Sequence, residues 1–153
     1  METLATLSNM DRILFLKRVP LFSTLPPAEL KQVAAIASEQ YYLHGDAITR
    51  QGEPGDEMYI IVSGQVRVMA DGGGRAAELA RRGPGDYVGE MAVISQEPRM
   101  ASLVAEGDTR VLCIERTQFE AILRERPETS LAVMRMLIAR IKEIQSLALT
   151  PAV

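Results

Sequence analysis

The stretch Val88-Gly89-Glu90-Met91-Ala92-Val93-Ile94-Ser95-Gln96-Glu97-Pro98-Arg99-Met100-Ala101-Ser102 reads as a phosphate-binding cassette. A glycine followed by an acid and small or flexible apolar residues opens a short helix, whose free N–H groups attract anions. Gly89 and Ala92 matter because backbone N–H groups reach a phosphate only where no bulky side chain intervenes. Arg99 adds an always-charged planar fork that matches two oxygens of one phosphate. Pro98 biases Glu97 toward extended geometry, so the loop is expected to deliver Arg99 at the start of a strand. Glu90 accepts hydrogen bonds where Arg99 donates them. A small ligand carrying a hydroxyl beside a phosphate satisfies both.

Working outward, turn signals recur from Ser38 onward and the apolar period changes from 3.6 to 2, as in a strand-rich domain. Strands are expected near 39–43, 47–50, 58–63, 65–70, 75–80, 86–88, 101–106 and 110–115. Turns are expected at His44-Gly45-Asp46, Gly52–Asp56, Ser63-Gly64, Asp71–Gly74, Gly83–Asp86 and Gly107-Asp108. Eight short strands so punctuated predict a jelly-roll-like β-barrel. Helices flank it. Asp11 is placed to cap a helix over 12–18 that Pro20 stops, and Thr24 or Leu25 leads past Pro26-Pro27 into a second helix with one buried stripe. After Thr117 come a short helix and, from about Glu128 to Leu147, a long one with Pro127 at its start. Leu131, Met134, Ile138 and Ile141 form one apolar stripe on it, and Val133, Leu137, Ile144 and Ala148 a neighbouring one. A barrel face needs only one, so the excess implies a second partner, either a ligand or another helix.

At 153 residues the chain is expected to be one domain: helices at 10–37, the barrel at 38–116 with its cassette at 88–102, and helices at 117–148. A net charge of −3 gives no footprint for nucleic acid. One cysteine, Cys113, rules out an internal disulfide and fits a reducing, cytoplasmic location. It lies in an apolar strand and reads as a small buried hydrophobe. One histidine, His44, cannot build the multi-histidine metal centre of a jelly-roll metalloenzyme. No stretch reaches the ~18 apolar residues of a membrane span. Neither a His pair nor an acid pair at catalytic spacing is present, so no enzyme is expected.

The cassette resembles that of the cyclic nucleotide-binding domain family, shared by catabolite-activator-type regulators, regulatory subunits of cyclic-nucleotide-dependent kinases and gated channels. The family pattern Gly-Glu-x-Ala then Pro-Arg-x-Ala stands here as Gly89-Glu90-Met91-Ala92 and Pro98-Arg99-Met100-Ala101. The resemblance implies the double-stranded β-helix fold, with cyclic AMP or cyclic GMP as ligand rather than a cofactor. It implies that Glu90 and the Gly89 N–H hold the ribose 2′-hydroxyl, while Arg99 and the N–H groups of Ala92 and Met100 hold the cyclic phosphate. Met100 lacks the hydroxyl that favours guanine in some relatives, which leans toward cyclic AMP. Continued ungapped, the resemblance puts Arg140 where an arginine reaches the ribose-binding acid, and Ile144 and Gln145 where the final helix covers the base. A solvated Arg140 is the competing reading. The implied function is a sensor that moves its last helix to control a fused or partner effector, with a second copy or an effector domain as the partner of that helix. Only Ala148–Val153 follow that helix, so no direct nucleic-acid contact is expected. The rival is an interaction domain that keeps the fold without using a ligand.

Overall fold

The computed structural model describes residues 6–20, 22–23, 25–89 and 95–149, with the main chain alone at 144 and 146–149. Helices α1 (Asn9–Arg18) and α2 (Pro27–Ile36) precede strands β1 (Ser38–Tyr42), β2 (Ala47–Thr49), β3 (Glu57–Gly72), β4 (Arg75–Arg82), β5 (Tyr87–Val88) and β6 (Ser102–Glu115). Helices α3 (Arg116–Glu125) and α4 (Pro127–Leu149) close the described chain. Ser8, not Asp11, caps α1: Asp11 stands at the third helical position and returns a bond to the Ser8 N–H, a capping box. α2 starts at Pro27 after Pro26 without a side-chain cap; of the residues expected to lead into it, Thr24 lies outside the described residues.

The described strands form one six-stranded antiparallel sheet in the order β1-β6-β3-β4, with β2 also on β6 and β5 on β3. Eight strands were expected because Ser63-Gly64 and Gly107-Asp108 look like turns. Both lie inside continuous strands. Gly64 (φ +84) sits where the β3–β6 register shifts, and Gly107 (φ +71) lies in the stretch of β6 between Glu106 and Arg110 that the shift skips. A glycine at positive φ absorbs the extra residue of a bulge while pairing resumes beyond it. The two long strands therefore bend together as one ribbon, and the described pairing is that of an open sheet rather than a closed barrel. The real reversal comes at Gly73 (φ +62) and Gly74 (φ +84), a tight two-residue hairpin turn that glycine alone makes without strain.

Alternation along the ribbon divides the core. Met58 and Ile60 on β3, Leu112 and Ile114 on β6 and Tyr87 on β5 face the helices, where they meet Leu16, Phe22, Leu30, Val33, Phe119 and Val133. Tyr59, Ile61, Val111, Cys113 and Val88 point the other way, with Val66 and Leu103, into the hollow of the roll. With both faces buried, Met58–Ile61 is a continuous apolar run. Each fully buried Phe or Ile contributes about 1.5–3 kcal/mol. β5 thus has one residue in each core and leads directly into Gly89.

Candidate functional site

Gly89 follows β5 with φ +84, and a Cβ there would lie 2.7 Å from Arg99 Nη1 and 3.2 Å from the Glu57 carbonyl oxygen. The glycine serves two needs: a left-handed turn and room for a guanidinium. Arg99 fills that room. Only 5% exposed, it donates from Nη2 to the Glu57 carbonyl at 2.6 Å and from Nη1 to the Gly89 carbonyl at 3.3 Å. Its charge lies over the Tyr59 ring, 5.6 Å from the centroid. Nε has no hydrogen-bond partner, and no carboxylate pairs with this cation among the described residues.

The Arg99 main chain is clamped before any strand begins. Its N–H donates to Glu53 O at 2.9 Å and its carbonyl accepts from Gly52 N at 2.8 Å. The turn after β2, rather than the start of β6 at Ser102, therefore sets its position. Gln96 takes φ +60 and its amide donates to Glu120 on α3 at 3.4 Å, tying the approach to the helices.

Behind Arg99 lie Glu57, Tyr59 and Cys113, of which the sequence singled out only Cys113. The Cys113 thiol donates to the Glu57 carboxylate. Burial first, and then that carboxylate, push the Cys113 pKa far above the ordinary thiol value. Burial also raises Tyr59, helped by Glu57 and opposed by Arg99. Glu57 thus serves the site through its carbonyl and Cys113 through its carboxylate. Tyr59 was legible only as a strand residue and Cys113 as a small buried one, and nothing local to Glu57 marked it.

The structure brings Gly89 and Arg99 together. Glu90, Met91 and Ala92 lie outside the described residues, as does the side chain of Ile144. Met100 is 71% exposed and Ala101 half-buried. Gln145 is exposed on α4. Arg140 reaches from α4 to the other side of β5: Nη2 donates to the Tyr87 carbonyl at 2.7 Å and to Asp86 Oδ1 at 3.1 Å, and the guanidinium stacks 4.1 Å from the Tyr87 ring centroid. It is held on the sheet rather than solvated. His44 accepts the Gly107 N–H at Nδ1, 2.7 Å away, a structural role. Among the described residues no group of acids, histidines and cysteine is placed to hold a metal, and no helix is long and apolar enough to cross a membrane.

This arrangement, a buried fork behind a glycine, can receive an anion. Residues 39–126 match the cyclic nucleotide-binding domain family. The Cyclic AMP receptor protein of Thermus thermophilus is 33% identical over 129 residues, which cover 84% of this chain and 60% of that protein. The cAMP-dependent protein kinase regulatory subunit of Aspergillus niger is 36% identical over 71% of this chain and 26% of its own length. Among solved structures, the regulatory domain of Toxoplasma gondii PKA with cAMP superposes with a TM-score of 0.76 at 30% identity, covering 88% of this chain and 50% of that one. The chain therefore spans about 60% of the first of these proteins and about a quarter of the second. A match over more than half of the chain, on a fold that seats Arg99 behind Gly89, makes this chain a member of the cyclic nucleotide-binding domain family.

Proposed function

We propose that this chain is a cyclic AMP sensor whose last helix relays occupancy to an effector, and that it prefers cyclic AMP to cyclic GMP. The observation that carries the reading is Arg99, a buried cation with an unpaired Nε and no carboxylate partner among the described residues. A buried charge is costly unless matched, and a cyclic phosphate supplies the match. The reading seats the phosphate on Arg99 and the N–H groups of Ala92 and Met100, and the ribose on Glu90 and the Gly89 N–H. Arg140, Ile144 and Gln145 belong to the helix that closes on the sugar and base, with Met91 and Ala101 shaping the cassette. The base preference rests on Met100, which offers guanine no hydroxyl. The relatives named for cyclic AMP support the choice. The output lies in a fused or partner domain, and the chain works in the cytoplasm without catalysing a reaction.

Calorimetric titration with cyclic AMP and then cyclic GMP tests this. Saturable binding is expected, tighter for cyclic AMP, with Arg99→Ala weakening it at least ~30-fold, as for loss of one partner of a buried charge pair. No heat, together with no thermal shift at millimolar ligand, sinks the sensor.

One observation favours the rival interaction domain. Leu131, Met134, Ile138 and Ile141 on α4 are each about half exposed and form a continuous apolar stripe away from the sheet. A helix from a second copy or an effector is the fitting cover.

A further inference from the structure

Helix α4 is held to the sheet by two different means. Its first half is anchored by apolar contact: Val133 is buried in the helix-side core, with Met136 and Leu137 packed against it. Beyond Leu137 that anchorage stops. From Ile138 to Glu143, Arg140 is the one residue that is not exposed. Its charge is not dispersed into solvent but stacked on Tyr87, itself 1% exposed, and bonded to the carbonyl that stands two residues before Gly89.

The carboxylate beneath Arg140 is shared. Asp86 Oδ1 accepts from Arg140 at 3.1 Å while Oδ2 stands 3.9 Å from Arg82 Nε at the end of β4. Arg82 Nη2 in turn lies 3.7 Å from Glu143 Oε2, back on α4 one turn beyond Arg140. Charges therefore alternate helix, turn, strand, helix: Arg140, Asp86, Arg82, Glu143. The Arg82 and Arg140 side chains are only 19% and 18% exposed. An isolated surface pair contributes little, but a network of part-buried guanidinium groups with a stacked and carbonyl-bonded member is held more firmly. Asp86 itself is fixed by its turn: its N–H donates to Gly83 O, its carbonyl accepts from Ile61 N and its Oδ1 accepts the Tyr87 N–H.

We propose that Asp86 is a positioning residue which, with Arg82, latches the second half of α4 onto β5. A ligand whose base is covered by that helix needs it in this docked position. Undocking lowers the competent fraction, and apparent affinity falls in proportion. The part concerning affinity rests on the cyclic AMP reading; the latch itself does not.

Amide hydrogen exchange on the full chain without ligand tests it, read at residues 138–143. Asp86→Asn keeps an oxygen for the Tyr87 N–H but removes the charge, and is expected to speed exchange there about 3- to 10-fold, with residues 128–134 unchanged. Glu143→Gln, remote from the turn, should produce a smaller rise, Asp86→Glu should restore most of the protection, and Lys142→Gln should do nothing. Raising salt from about 0.05 M to 1 M should speed exchange more in the wild type than in Asp86→Asn, where only the Arg82–Glu143 pair remains to be screened. Cyclic AMP affinity should fall about 3- to 10-fold in Asp86→Asn. Equal exchange in Asp86→Asn, Glu143→Gln and wild type overturns the latch even if cyclic AMP binds. Faster exchange in a chain that binds no cyclic AMP keeps the latch and removes the ligand. Should Asp86→Asn fail to fold, Glu143→Gln alone decides.

Discussion

Gly89 and Arg99 occupy one another's space: the hydrogen that glycine carries in place of a side chain is what lets Nη1 of the arginine lie where a Cβ would be 2.7 Å away. Gly89→Ala therefore carries two penalties. The left-handed φ of +84 costs about 1–2 kcal/mol of stability for any residue with a Cβ, and the guanidinium is pushed off the Glu57 and Gly89 carbonyls. Denaturant unfolding should show the first, and titration with cyclic AMP a loss of at least ~10-fold from the second, since a 1.4 kcal/mol loss is tenfold. A variant that loses stability but binds normally would show that Arg99 needs no such seat.

The two bulge glycines should respond differently to the same change. A Cβ at Gly64 would lie 2.5 Å from Asp108 O and Thr109 Oγ1 and 2.8 Å from Thr109 Cα, whereas Gly107 faces open space. Gly107→Ala is expected to cost only the conformational ~1–2 kcal/mol. Gly64→Ala adds the separation of two paired strands, for a total of about 3 kcal/mol or more. Thr109, fully buried and bonded to Gln65 O and Gly107 O, cannot swing away cheaply. Urea midpoints of the two variants settle the comparison.

Cys113 gives the chain an alkaline limit. Its folded pKa is raised, by burial and then by Glu57, so the thiol stays protonated while the unfolded chain begins to ionise near pH ~8.5. The stabilising contribution is complete below that value and is lost as pH rises through the range above it, by up to about 1.4 kcal/mol per pH unit. Cys113→Ser should flatten the stability profile between about pH 8.5 and 10. The native thiol should also react with a disulfide reagent far more slowly than the unfolded one. An equally steep profile in the serine variant would place the alkaline loss elsewhere, with Tyr59 as the next group to test.

The exposed stripe on α4 makes a prediction about mass. Sedimentation at rising concentration should show self-association, and the pair Met134→Lys with Ile138→Lys should abolish it. Stability of the single chain should change by no more than about 0.5 kcal/mol per substitution, because both side chains are already half in water. A chain that stays monomeric at every concentration assigns the stripe to an effector instead.

The residues that sequence reading resolved best are those whose partners are close in the chain or whose chemistry is rare. Gly89 and Arg99 stood out because a glycine, an acid and an arginine at fixed spacing have few other uses. The strand positions followed from alternation, and Pro127 from its preference for a helix start. Gly64 and Gly107 were misread as turns because Ser-Gly and Gly-Asp look the same in a bulge as in a reversal. What decides is the strand lying alongside, and that strand is distant in sequence. Asp86 was legible only as a turn residue, since its use depends on Arg140 arriving from a helix 54 residues later. Tyr59 carried no local mark of the cation above it. The Asp11 cap was misplaced by one turn because Ser8 and Asp11 share the work.

The bent ribbon also has a direction in time. Met69 pairs with Ser102 at one end and Glu57 with Glu115 at the other, so the chain enclosed is nearly twice as long at the far end. Loop-closure entropy favours zipping from the short end, with the cassette inside the first loop to close. Arg99 then waits for Glu57, the last rung, before its guanidinium has a second carbonyl beside that of Gly89. Truncations near Val68 and Leu103 should slow folding, whereas those near Met58 and Ile114 should mainly hasten unfolding. The seat of the Arg99 guanidinium is thus completed only when the ribbon is.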